Sequence, residues 1–241
     1  MLIGIPGTGK SLTAKAVGNL WHFPLLRLDM GKIFSKWQGE SELNIRETLN
    51  IACAIAPSIL WIDEIEKATA GLASSGEADG GTAARILATL LTWMQENTKP
   101  VFVVATTNNV SKLSPELLRK GRMDEIFFTD LPVEAEREKI IAIHLKKKKR
   151  DPAKFNIKEL AKISGGFSGA ELEEAIKEAL YQAYDDNGRE ITDWDIISAI
   201  KRTYPLSLTM RESIVQMRLW AKSRAIAASS AESEPIIMDV S

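Results

Sequence analysis

The sequence predicts an α/β fold, a parallel sheet sandwiched by helices, followed by a small all-helical second domain. Three observations carry this. Short apolar runs alternate with helical patterns through the first half of the chain. Two of the runs are almost uninterrupted apolar, which suits strands buried on both faces of a parallel sheet. After Leu131-Pro132 the strand pattern stops and helical periodicity remains. Regular alternation of strand and helix builds layered α/β architecture rather than a sandwich or a bundle.

The first element is the apolar Met1-Leu2-Ile3. A typical strand runs ~5–6 residues, so these three are expected to be the stub of a longer strand, in a chain that is a fragment or carries a late start. A helix is expected over 9–20. Leu25-Leu26-Arg27-Leu28, Ile59-Leu60-Trp61-Ile62, Val101-Phe102-Val103-Val104-Ala105 and Ile126-Phe127-Phe128 read as the following strands, with helices over 41–55 and 82–95 between them. Gly71–Gly81 reads as a flexible loop.

The second domain is expected as helices over 133–149, 157–163, 168–184 and 192–203. Ser168 precedes Glu171 by three residues and Thr192 precedes Asp195 by three, the spacing of a capping box at a helix start. The division is therefore 1–132, an α/β domain; 133–204, a small helical domain; 205–228, one further helix; and 229–241, an unstructured tail. Met210, Ile214, Met217 and Ala221 make one apolar stripe on that last helix.

Composition narrows the function classes. Of 241 residues, 45% are hydrophobic and 26% charged, with a net charge of −1. That is the balance of an ordinary globular protein and leaves no electrostatic footprint for nucleic acid. No apolar run approaches the ~20 residues of a membrane span. The single cysteine, Cys53, forbids an internal disulfide and fits a reducing compartment; its apolar surroundings predict a buried structural thiol. His22 and His144 are the two histidines, and neither begins an H-E-x-x-H run. The run Lys146-Lys147-Lys148-Lys149-Arg150 lies where a helix ends, and there cations complement the helix dipole.

Chemistry concentrates at three points. Gly4-Ile5-Pro6-Gly7-Thr8-Gly9-Lys10-Ser11 is a complete G-x-x-x-x-G-K-[ST] phosphate loop, led by an apolar segment and followed by a helix. Glycines let backbone N–H groups curl around a triphosphate, and a helix N-terminus faces it with its positive end. The candidate nucleotide contacts are Pro6, Gly7, Thr8, Gly9, Lys10, Ser11 and Leu12. Lys10 would reach the β- and γ-phosphates, and the Ser11 hydroxyl would ligate Mg²⁺. Second, Ile59-Leu60-Trp61-Ile62-Asp63-Glu64 is a buried strand ending in two carboxylates. Asp63 is placed to hold Mg²⁺, directly or through water, and Glu64 to orient or deprotonate an attacking water. Third, the strand from Val101 ends in Thr106-Thr107-Asn108-Asn109, where Asn108 is placed to donate a hydrogen bond to the γ-phosphate or the water.

Together these residues resemble the AAA+ ATPases, specifically the AAA branch of ring-forming remodellers, over roughly 1–204. Ser41-Glu42 with Arg46, Ala56-Pro57, Leu117-Leu118-Arg119-Lys120-Gly121-Arg122-Met123-Asp124 and Phe167-Ser168-Gly169-Ala170-Glu171-Leu172 are similar to that family's motifs. The resemblance implies a P-loop NTPase core and a helical lid, with ATP and Mg²⁺ as cofactors. It makes Asn108 the first sensor and places Gly169 and Ala170 near the adenine. Arg122 becomes an arginine finger reaching the neighbouring subunit's nucleotide, where a planar guanidinium suits charge spread over phosphoryl oxygens. Trp37, Gln38 and Gly39 match a pore loop that grips extended polypeptide. The chain departs from the family pattern at Glu125, where a second arginine is common, and at Gln38, where an apolar residue is usual. Asp151-Pro152 and the stretch from Thr203 to Met210 further resemble AAA proteins encoded in cyanobacterial and algal plastid genomes.

The expectation is thus a Mg²⁺-ATP hydrolase in the cytoplasm or plastid stroma. It would assemble with itself as a hexameric ring and act on a protein substrate rather than on nucleic acid or a membrane. Two rivals remain at this stage. One is a non-hydrolysing or weakly hydrolysing ATP-binding switch or scaffold, favoured by Glu125 and Gln38. The other is a clamp-loader-like ATPase acting on nucleic acid.

Overall fold

The computed structural model describes residues 1–34, 38–68, 80–119 and 121–229. Their contacts divide into two compact units: Met1–Gly4 with Lys10–Phe128 and Trp220–Ile226, and Ile5–Gly9 with Thr129–Leu219 and the residues from Ala227 onward.

The first unit is built on a six-stranded sheet in the order β2-β3-β4-β1-β5-β6. Its strands are β1 (Leu2–Gly4), β2 (Leu25–Asp29), β3 (Ser58–Asp63), β4 (Val101–Thr107), β5 (Phe127–Thr129) and β6 (Ile226–Ala227). β2, β3, β4 and β1 pair in parallel, with Leu28 opposite Ile62, Ile62 opposite Ala105, and Ile3 opposite Thr107. Every residue of β3 is buried. Ile59 and Trp61 pack with Leu2, Val104 and Ala14 of helix α1 (Lys10–Trp21). Leu60 and Ile62 point to the opposite face and are fully buried too, so the sheet is covered on both sides. That explains why the strand reads as continuous apolar sequence rather than as alternation.

Helices α2 (Met30–Phe34), α3 (Gln38–Ala54) and α4 (Gly80–Glu96) complete this layer. Buried Ile45, Leu49 and Ala52 line one face of α3, and Ala83, Ile86, Leu87, Leu90 and Leu91 line one face of α4, the spacing of an amphipathic helix. The Ser41 hydroxyl, buried, donates to the Ile33 carbonyl at 2.7 Å and joins α3 to α2. Most of the loop expected over Gly71–Gly81 lies outside the described residues; Gly80 and Gly81 open α4.

The second unit contains α5 (Glu134–Lys147), α6 (Ile157–Ile163), α7 (Gly169–Asp185), α8 (Asp193–Arg202) and α9 (Leu206–Thr209). Ile141, Leu145, Leu160, Phe167, Leu172, Ile176, Ile196 and Ile200 meet in one apolar cluster. Both expected capping boxes form. The Ser168 N–H donates to Glu171 at 2.7 Å, and Asp195 accepts from the Thr192 N–H and hydroxyl at 2.8 Å each. Such caps contribute about 1 kcal/mol apiece. Buried Arg137 donates to the carbonyls of Pro132 and Ala161 at 2.7 and 2.8 Å, stitching α5 to the end of α6. In the basic run that ends α5, Lys147 pairs with Glu173 and Arg150 with Glu190.

Three expectations are corrected. The segment 205–228 is not one helix: α9 stops at Thr209 and α10 spans Arg211–Lys222, with Ile214 and Met217 buried as the apolar stripe requires. Strand also recurs after residue 132, in β6, where the Ile226 N–H donates to the Ile126 carbonyl at 2.8 Å. Two residues paired to a distant strand leave no local pattern to read. Cys53 is half-buried rather than buried, 3.5 Å from Asn97 Oδ1. Of the expected tail, residues 230–241 lie outside the described residues.

Candidate functional site

In the first unit, the C-terminal ends of three adjacent parallel strands bring the expected polar residues together. β1 ends at Gly4, whose carbonyl accepts from the Lys10 ammonium at 2.9 Å. Lys10 is 5% exposed, and burial pushes its pKa down to about 8 against the opposing pull of Glu66 and Asp63. Ser11, the next residue of α1, is exposed.

Asp63 closes β3 and is buried. Its Oδ1 accepts the Thr106 hydroxyl at 2.7 Å, and its Oδ2 accepts Arg27 at 2.7 Å. Glu64 adopts φ +55°, the left-handed region that costs a non-glycine residue about 1 kcal/mol. This turn sends the chain back under β4: the Ile65 N–H donates to the Thr106 carbonyl at 3.0 Å, and the Glu64 N–H to the Thr106 hydroxyl at 3.3 Å. The Glu64 carboxylate is partly exposed and holds Lys67 at 2.5 Å, a contact that raises the Lys67 pKa.

Beyond β4, the Asn108 N–H donates to buried Glu66 at 3.1 Å. Glu66 was not among the expected site residues. Only the acidic character of Asp63-Glu64-Ile65-Glu66 hinted at it, and the reversal at Glu64 is what returns it to β4. Arg27 likewise shows in the sequence only as a strand residue.

In the second unit, the glycine part of the phosphate loop meets the start of α7. The Ala170 N–H donates to the Gly7 carbonyl at 3.1 Å. Gly7 has φ +77°, and a Cβ there would stand 2.8 Å from Ser168 Oγ and 2.9 Å from Ala170 Cβ. Glycine is therefore required twice over, by backbone and by space. Thr8 donates to the Ile5 carbonyl at 2.7 Å and lies 3.0 Å from the Thr129 hydroxyl. Gly9 also has positive φ, +92°. The expected residues Gly169 and Ala170 thus touch Gly7. Glu171 steadies them: one oxygen accepts from Ser168 N–H and the other from Leu206 N–H, each at 2.7 Å.

Arg122 follows Gly121, which has φ +88°, and donates to the Glu116 carbonyl at 3.0 Å. Glu125 is exposed. Trp37 lies outside the described residues, while Gln38 and Gly39 begin α3. No helix among the described residues is long and apolar enough to cross a membrane.

The family model described as "ATPase family associated with various cellular activities (AAA)" matches residues 1–131, and the AAA+ lid domain model matches 154–210. The "Uncharacterized AAA domain-containing protein ycf46" of Pyropia yezoensis is 51% identical over 222 residues, covering 92% of this chain and 44% of that protein. The chain thus spans under half the length of such relatives. The "Proteasome-activating nucleotidase" of Aeropyrum pernix is 35% identical over 204 residues, covering 84% of this chain and 50% of that protein. Among solved structures, the FIGL-1 AAA domain superposes with a TM-score of 0.77 at 23% identity, covering 93% of this chain and 76% of that one, a likeness of fold.

Proposed function

Since this chain belongs to the AAA family of ATPases, we propose that it is a Mg²⁺-dependent ATP hydrolase working in an oligomeric ring on a protein substrate. One observation carries the proposal: Lys10, Asp63, Glu64 and Asn108 gather at the carboxyl ends of β1, β3 and β4, where open α/β sheets take their ligands.

The residues present fit a magnesium nucleotide. The positive-φ glycines Gly7 and Gly9 and the start of α1 form the phosphate loop, flanked by Pro6 and Leu12. Lys10 is a cation that burial disfavours, and a triphosphate beside it would stabilise the charged form. Ser11 offers a hard oxygen donor of the kind Mg²⁺ takes, and Asp63 another, directly or through a water. When bound, the ion would neutralise charge on the phosphate oxygens. Glu64 orients a water and accepts its proton, and Asn108, tethered through Glu66, donates to the γ-phosphate or to that water. Gly169 and Ala170 are the proposed adenine contacts. Arg122 acts on the nucleotide of a neighbouring copy. Trp37, Gln38 and Gly39 engage the polypeptide. A protein substrate agrees with the relative named as a proteasome-activating nucleotidase. Cytoplasm or plastid stroma is the proposed location.

The test is ATP turnover per subunit with Mg²⁺ over a wide range of protein concentration. Turnover is expected to rise with concentration, to drop at least ~100-fold in Glu64→Gln, and to drop ~10³-fold or more in Arg122→Ala. Normal turnover in Glu64→Gln refutes its assigned role. A second reading, a weakly hydrolysing switch, is favoured by the grip of Lys67 on Glu64. It predicts nucleotide binding with turnover that is absent or independent of concentration.

A further inference from the structure

Arg27 does more than occupy a place on β2. In the parallel register Arg27 stands opposite Trp61, and Asp29 opposite Asp63. Alternate residues share a face, so these four side chains project to the side where Trp61 packs against α1. The guanidinium donates to Asp63 Oδ2 at 2.7 Å, approaches Asp29 at 3.3 Å, and lies 4.8 Å from the centre of the Trp61 ring. Its side chain is half exposed, and a lone ion pair at such a position would contribute little. Here three partners fix a planar group that suits both stacking and carboxylate pairing.

The consequence falls on Asp63. One oxygen receives the Thr106 hydroxyl and the other receives Arg27. A carboxylate whose oxygens are both engaged, with a full positive charge beside it, is a poor direct ligand for a second cation.

We propose that Arg27 is a positioning residue that sets Asp63 to meet the divalent ion through a water ligand and lowers the site's affinity for that ion. This rests on the magnesium nucleotide reading. Removing the charge frees Asp63 Oδ2 and removes a repulsion, so divalent binding tightens, whereas loss of a merely structural contact would weaken it.

The experiment is equilibrium binding of a fluorescent ATP analogue with Mg²⁺ varied, for wild type, Arg27→Gln and Arg27→Lys. The half-saturating Mg²⁺ concentration is expected to fall about tenfold in Arg27→Gln and clearly less in Arg27→Lys, which keeps the charge but not the planar fork. An unchanged or raised requirement in Arg27→Gln overturns the proposal. A second measurement does not depend on that variant. Water ligands on Mn²⁺ in its complex with the nucleotide are counted by ¹⁷O broadening of the electron-spin resonance, in wild type and in Asp63→Ala. An equal count supports a water-mediated Asp63; one extra water in Asp63→Ala means direct ligation and overturns the proposal. Wild type that binds no nucleotide, with or without Mg²⁺, removes the nucleotide reading and this inference with it. Nucleotide binding with unaltered Mg²⁺ dependence removes the inference alone.

Discussion

Lys10 at the start of α1 and Asp195 in the first turn of α8 are both charged and both buried, yet their surroundings act on them in opposite directions. Asp195 is fully buried and receives two hydrogen bonds from Arg189, at 2.7 and 2.8 Å, besides those from Thr192. Hydrogen bonding to Arg189 holds its carboxyl well below the usual carboxylate range despite burial. At Lys10 burial outweighs the nearby carboxylates, and the ammonium is less favoured than in water. The lid surrounds its buried charge with complementary partners and gains rigidity. The phosphate loop keeps a buried charge that desolvation disfavours despite its neighbours, and a polyanion would add to what favours it.

The largest effect should come from removing the matched charge. Asp195→Asn leaves Arg189 and the α8 cap short of their acceptor and is expected to cost about 3 kcal/mol in urea unfolding. The folded pKa is depressed, so this contribution is present at neutral pH. It should fade as pH drops below the ordinary carboxylate value near 4, narrowing the gap between variant and wild type. Lys10→Met should do the reverse. Unliganded protein is expected to gain about 2 kcal/mol while losing nucleotide binding. The folded pKa lies below the unfolded one, so the gain should be complete below about pH 8 and vanish above about 10, as stability measured across that range would reveal. A loss of stability in Lys10→Met would break the comparison. The smallest effect should be Glu171→Gln, which keeps one oxygen acceptor for the Ser168 and Leu206 N–H groups. A loss of about 1 kcal/mol is expected by denaturant midpoint.

What the sequence makes legible follows the range of the forces involved. β3 announces itself because a strand buried on both faces must be apolar throughout, and its polar end stands out by contrast. The caps at Ser168 and Thr192 are local, three residues wide, and form as expected. Glu66 and Arg27 escape for different reasons. Glu66 depends on the left-handed turn at Glu64, a conformation whose residue type gives no warning. Arg27 depends on the register between β2 and β3, which no single strand encodes. Likewise β6 exists only through its pairing with Ile126.

The hydrogen bond from Ala170 to Gly7 has a mechanical corollary. It joins the phosphate loop to the very start of α7, a rod of 17 residues ending at Asp185. Such a helix is about 25 Å long, so a tilt of about 10° at the Gly7 end sweeps the far end through roughly 4 Å. The helix is a lever with its fulcrum at the loop, and a small change of angle there is returned at Asp185 as a displacement of several ångströms.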